Sequence, residues 1–320
     1  MKQRIFFIIL ILCLSCSRNG KIRKQRGVPL KKTAIENNDI EVLSKNEGLI
    51  SNNIKDILLK GDEIYCLADT GLIRINKNNG KMVNHPFPGM NFSSGLFYEN
   101  QFWVLEKSGI YRFLNDQMSL VWKQDSIADE LIPDRETLFF GLYKGEVFRL
   151  NADQQTFSSI RSFTNLSLLQ MQGDAGDLYL TDGKNLLRFD PETGRRTNLI
   201  SFQEEAISSF LVEGKNIYFG YKDLYSYDRD TGFVVKLVSA SASSNYTLTC
   251  LFKDGDNLYA GRTSGVLLLN LATAGTYDIL QDFFVKDAEV NCITQDENIV
   301  FIGTRNHGLI KFIKKTQPAI

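Results

Sequence analysis

The sequence has little sulfur and almost no imidazole: five Cys and two His in 320 residues. That excludes a disulfide-dense scaffold and leaves too few soft ligands for a zinc framework of several sites. It lacks an excess of either charge, with 37 basic and 37 acidic residues, so the chain-wide basic surplus of a nucleic-acid binder is absent. It also lacks a long apolar run: residues 5–14 give ten in a row, half of the roughly 20 that a membrane-spanning helix needs. What is present is 43% apolar residues, enough for sizeable cores, in a length that permits one to three domains.

Lys2 and Arg4 precede the ten apolar residues and Ser15-Cys16 follows them, the layout of an export signal over residues 1–15. Leu14-Ser15-Cys16 resembles the lipobox of bacterial lipoproteins, which implies Cys16 as the lipidation site and the mature first residue. Cys13 stands where that family prefers Leu or Val, so a plain secretory signal, with Cys16 discarded, is the alternative. Residues 17–35 carry seven basic side chains and no acidic one, which cannot build a core. Residues 16–37 are expected to be a flexible tether, either drawn to anionic head groups or simply soluble. The missing acids after Cys16, together with Ser17, lead us to expect a lipid-anchored domain of the bacterial outer membrane that faces the periplasm.

Beyond the tether the chain repeats itself. Alternating strands led by a small or turn-forming residue begin at Gly71, Gly109, Gly145, Asn185, Asp223, Gly265 and Gly308, at gaps of 38, 36, 40, 38, 42 and 43. Ahead of each lies an apolar pair: Ile64-Tyr65, Phe102-Trp103, Phe139-Phe140, Leu178-Tyr179, Ile217-Tyr218, Leu258-Tyr259 and Val300-Phe301. Period-two alternation and turns such as Asn78-Asn79-Gly80, Glu192-Thr193-Gly194 and Asp230-Thr231-Gly232 point to strands and hairpins rather than helices. Four short strands per roughly 40 residues describe a propeller blade. The reading is therefore an all-β, seven-bladed β-propeller of four-stranded antiparallel blades over residues 38–316. Its blades lie near 48–87, 88–125, 126–163, 164–202, 203–240, 241–282 and 283–316. The last unit lacks room for an outer strand, and the orphan stretch 39–43 is predicted to supply it and close the ring.

Residues 48–54 with Ile57, Ile64-Tyr65 and Gly71-Leu72-Ile73-Arg74 resemble the repeat of two-component-regulator propellers, and Phe301-Ile302-Gly303-Thr304 with Gly308-Leu309 repeats that pattern. The middle units are similar to pyrroloquinoline-quinone-like propellers in their Asp-x-x-Thr-Gly turns at 190–194 and 228–232. The resemblance implies recognition of a ligand or partner outside the cytoplasm. No kinase part accompanies the repeats, so the signalling half of the family's role is not carried over.

The loops between second and third strands gather at one end of a propeller. There Tyr143, Lys144, Tyr221, Lys222, Arg262, Arg305 and His307 form a candidate ligand-binding set, suited to sugars by stacking or to carboxylates and phosphates by cationic contacts. Solvated loop tips are the plainer reading of the same residues. No catalytic residue, cofactor or metal site is assigned: His85, beside Pro86 in an expected inter-blade loop, and His307 are the only imidazoles. The turn at residues 254–257 suits a hairpin better than a calcium loop. Cys250 and Cys292, at equivalent positions of neighbouring blades, and Cys66 are expected as buried free thiols. The recurring aromatic pairs are assigned to packing.

All nine basic residues of positions 1–35 belong to signal or tether, which leaves 28 basic against 37 acidic residues from Glu36 onward. An acidic ring on a basic leash is expected. The function expected is an envelope binding module that recognises a glycan or an envelope protein. It is expected not to be an enzyme or a nucleic-acid binder, and to meet the membrane through its amino-terminal lipid anchor. It would act as a monomer or as one subunit of a complex. The alternatives are a scaffold subunit of an envelope assembly complex and a lyase- or quinoprotein-like enzyme.

Overall fold

The computed structural model describes residues 40–314 together with Arg23 and Lys24, apart from residues 107, 124–126, 135–136, 152, 154–155, 164–167, 203–204, 241–244 and 280–286. The signal, Cys16 and most of the tether lie outside the described residues.

Each repeat becomes one antiparallel sheet whose four strands are joined in sequence order, and seven sheets result, at residues 54–86, 92–123, 127–162, 170–201, 209–238, 248–278 and 290–313. We number these blades one to seven and their strands first to fourth, from the channel outward. Blade 7 takes its fourth strand from the other end of the chain. Ile40–Leu43 runs antiparallel to Leu309–Ile313, with Ile40 opposite Phe312 and Leu43 opposite Leu309. Lys311 adds an ion pair to Glu41 at 3.0 Å. The predicted closure therefore exists. Gly308 permits it: its φ is 83°, and a Cβ there would lie 2.1 Å from the Leu43 carbonyl oxygen. Arg23–Lys24 also forms a two-residue strand, parallel to Val234–Val238 on the outside of blade 5.

The apolar pairs seen in the sequence are second strands. A second strand is covered on both faces by neighbouring blades, so both of its alternating rows are apolar. Ile299–Thr304, for example, is buried at every position after the first. Fourth strands lose that cover, and Gln117–Lys123 is exposed or half-buried throughout. Between blades the aromatics interlock: Trp103 and Phe140 are fully buried, and Trp122 meets Phe140 with ring centres 4.9 Å apart. Phe102, Phe139, Tyr179, Tyr218 and Tyr259 are buried as well, which makes them packing residues.

The turns between third and fourth strands are held by a side chain that accepts two backbone N–H groups. Asn76 takes those of Asn78 and Asn79 at 3.1 and 3.2 Å, and Asp228 takes those of Asp230 and Thr231 at 3.0 and 2.8 Å. His85 differs from its expected place. It sits on the fourth strand of blade 1, Met82–Pro86, opposite Leu72, and its ring meets Phe113 edge-on at 5.3 Å. Pairing continues to Pro86 because an outer strand tolerates the missing donor.

Candidate binding site at the channel mouth

The first strands of all seven blades ring the central channel. At the end where they begin, a cavity of about 600 Å³ opens among residues of every blade, including Lys55, Asn91, Tyr143, Gln170, Ser208, Thr249 and Asn291. Hydroxyl and amide groups dominate the wall, and Lys55 and Asp56 are its charged lining residues.

Much of that polarity stitches neighbouring blades together. Asp56 Oδ2 accepts the Gly95 N–H of blade 2 at 2.9 Å, and Asp56 Oδ1 accepts the Ile57 N–H at 2.8 Å. Gln170 and Gln172 of blade 4 accept the Phe210 and Val212 N–H groups of blade 5 at 2.9 and 2.8 Å. The Ser208 hydroxyl donates to the Leu248 carbonyl at 2.7 Å, and the Asn291 amide donates to the Ile54 carbonyl at 2.7 Å, across the seam between the ends of the ring. Side-chain bonds thus join first strands where no backbone ladder runs between blades.

Asp56 is half-buried in the channel wall and lines the cavity. Burial raises its carboxyl to about 6, against the lowering effect of the Gly95 and Ile57 N–H groups. Cys250 and Cys292 also line the cavity. With Cys66 they are free thiols, and burial pushes Cys66 and Cys250 up to about 12 and Cys292 well above its ordinary value. Such thiols are neutral and poor nucleophiles at neutral pH. Glycines opposite make room for them: a Cβ on Gly261 or Gly303 would lie 2.5 Å from the Cys250 or Cys292 sulfur.

Of the seven loop residues singled out from the sequence, Tyr143 lines this cavity. Lys144 is exposed and pairs with Glu146 at 3.0 Å. Tyr221 is half-buried and Lys222 exposed in the blade 5 turn. Arg262 is only 5% exposed, bonded to Asp278, with its guanidinium 4.5 Å from the ring centre of Tyr246. Arg305 holds Glu289 at 3.1 Å. His307 is half-buried, and its backbone N–H donates to Thr304 Oγ1 at 2.9 Å.

The starts of the first strands, which build the cavity, were not singled out from the sequence. Their signal was a polar pair or polar-thiol pair behind an apolar residue, as in Ile54-Lys55-Asp56, Phe92-Ser93-Ser94, Leu248-Thr249-Cys250 and Val290-Asn291-Cys292. Aligning the repeats on their first strands would have exposed it. Among the described residues no group of three His, Cys, Asp or Glu is placed to hold a metal ion, and no helix is long and apolar enough to cross a membrane.

No protein-family profile matches the chain, and no curated protein matches it in sequence. Solved structures do share its fold. The extracellular domain of BT4673 from B. thetaiotaomicron, described as part of a one-component or hybrid two-component system, superposes with a TM-score of 0.72 at 15% identity, covering 85% of this chain and 40% of that one. Virginiamycin B lyase from Staphylococcus aureus gives a TM-score of 0.70 at 12% identity over 86% of this chain and 99% of the lyase. YCF48 from Cyanidioschyzon merolae gives 0.69 at 12% identity, with the same coverage. The chain therefore spans well under half of the BT4673 chain it matches. At these identities the likeness is one of fold: a seven-bladed propeller similar to the extracellular regulator domains that its repeats resemble.

Proposed function

We propose that this propeller is an exported, lipid-anchored binding module of the bacterial envelope, held to the outer membrane through Cys16 and facing the periplasm. It recognises a glycan or another envelope component at the channel mouth. The observation that carries this reading is the cavity of about 600 Å³, a size typical of small-molecule sites, with polar groups converging from all seven blades. A concave site of this kind favours a ligand entering the ring over a flat scaffold contact.

Binding is favoured over catalysis by the position of the imidazoles. Virginiamycin B lyase is catalytically inactive when a histidine is changed to Ala. Here His85 packs between blades 1 and 2 near Asp116, and neither it nor His307 lines the cavity. A glycan array and a pull-down from envelope extract, each run with the wild type and an Asn91→Ala/Tyr143→Ala double variant, test the reading. We expect a captured ligand whose binding weakens at least about ten-fold in the variant. Unchanged capture moves the site elsewhere, and capture of proteins alone favours the scaffold. Palmitate incorporation that Cys16→Ala abolishes is the expected sign of the anchor.

A further inference from the structure

The channel wall is not seven-fold uniform. In four blades the first strand carries one extra residue just inside the mouth: pairing with the second strand jumps from Ile54 to Asp56, from Phe92 to Ser94, from Leu248 to Cys250 and from Val290 to Cys292, while blade 3 has a wider irregularity between Ile127 and Leu131. The residues left out of the ladder are Lys55, Ser93, Thr249 and Asn291. Bulges of this kind re-aim a side chain, and all four of these residues line the cavity. They belong to blades 6, 7, 1 and 2, which are consecutive once the ring has closed. In blades 4 and 5 the first strand pairs without a jump, starting at Gln170 and Ser209. One side of the mouth therefore presents a continuous arc of hydroxyl, amide, ammonium and hydroxyl groups.

Within that arc Lys55 makes no ion pair or hydrogen bond with a described residue, whereas Lys144, Arg262 and Arg305 each hold a carboxylate. In the same cavity the Ser94 hydroxyl, on a residue only 9% exposed, has no hydrogen-bond partner. A buried hydroxyl left unsatisfied and a cation left unpaired in one cavity are donors waiting for an acceptor. Asp56 limits what that acceptor can be. Its oxygens are each committed to a backbone N–H and it forms no ion pair with Lys55, so the ammonium is left for one negative charge, and a carboxylate in the same wall disfavours a second. A lone ammonium also lacks the planar fork that selects phosphate.

Building on the binding role proposed above, we infer that the arc Thr249–Asn291–Lys55–Ser93, with Ser94, is a recognition site for a small hydroxylated carboxylate: Lys55 takes the carboxylate, and the side-chain hydroxyls with the Asn291 amide oxygen, whose N–H groups are held by Ile54 and Asn53, take the ligand hydroxyls.

Isothermal titration of the full chain with D-gluconate, D-glucose, D-galacturonate, D-galactose and glucose 6-phosphate tests this. The carboxylates are expected to bind at least about ten-fold tighter than their neutral counterparts and tighter than the phosphate, with affinity falling as salt rises. Lys55→Met is expected to erase that preference while leaving the melting temperature unchanged, and Ser94→Ala to weaken binding of every ligand that binds. Lys55→Gln serves if the Met variant does not fold. Equal binding of neutral sugars, tighter binding of the phosphate, or a preference that survives both Lys55 variants overturns the inference. No binding of any of the five, with a ligand still captured on the array, overturns the ligand class and leaves the binding role standing. Blank titrations and a blank array overturn both.

Discussion

Asp56 is a carboxylate partly shielded from water, and its pH behaviour should oppose that of Asp190, Asp228 and Asp254. Its folded-state value of about 6 lies above the ordinary 3.8, so the folded state holds this proton more tightly than the unfolded chain does. The stability it contributes is complete below about pH 4 and is lost as pH rises through 6. Asp190 and Asp228 are lowered by hydrogen bonds from Thr193 and Thr231, and Asp254 by Lys314. Their contributions run the other way and are lost as pH falls through their lowered values. Asp56→Asn keeps an oxygen for the Gly95 N–H and removes the charge. Its denaturant stability should exceed that of the wild type by about 1–2 kcal/mol at pH 8, and the difference should vanish near pH 4. A variant that is weaker at pH 8 would show that the inter-blade bond to Gly95 outweighs the desolvation cost. None of this was legible in Ile54-Lys55-Asp56-Ile57, which reads as an ordinary strand start. Arg262 misled in the opposite direction: it reads as a loop-tip cation, but it is the last residue of the second strand Asn257–Arg262, where Asp278, at the end of the fourth strand, pairs with it and it is buried.

At the level of elements, strand identity was the legible part, because an element's hydrophobic period depends on what covers it. Second strands are covered on both faces and show as apolar pairs, and fourth strands are covered poorly and show polar alternation. The bulges were not legible, since an inserted residue is defined only against a partner strand and the sequence shows one strand at a time. Strand packing also governs the thiols. Cys66, Cys250 and Cys292 lie against other strands, with the glycines Gly261 and Gly303 opposite the latter two, and burial keeps all three protonated. Iodoacetamide at pH 7.5, followed by peptide mass spectrometry, should label these three at least about a hundred-fold more slowly in the folded chain than in urea. Rapid labelling of Cys250 or Cys292 in the folded chain would show that the channel admits reagent and activates the thiol.

For the whole molecule, stability rests on a closure made by four residues. Ile40–Leu43 pairs the exposed edge of blade 7, and side chains on both ends of the chain complete the same core: Ile40 and Val42 pack with Val290, Val300 and Ile310, and Leu43 and Ile50 pack with Phe301 and Leu309. A chain beginning at Ser44 loses that ladder and the Glu41–Lys311 pair. Its unfolding free energy should fall by about 3 kcal/mol or more, with a lower and broader melting transition in calorimetry. Gly308→Val should reproduce the defect in the full-length chain, because its Cβ would strike the Leu43 carbonyl. Melting unchanged in both would mean that the ring holds without its seam.

The sequence by itself determined the number of blades, the order of strands, the closing strand and the segregation of a basic amino terminus from an acidic ring. All of these are written in local periodicity, in a roughly 40-residue repeat and in composition, which need no knowledge of distant partners. Only the tertiary structure decided which polar groups are spent and which are left over. Asp56 meets Gly95 across 39 residues and Asn291 meets Ile54 across 237, and such pairings come from the curvature of the ring rather than from any stretch of chain. Most of the loop cations are held by carboxylates that the folded chain brings to them, whereas Lys55 forms no ion pair with a described residue.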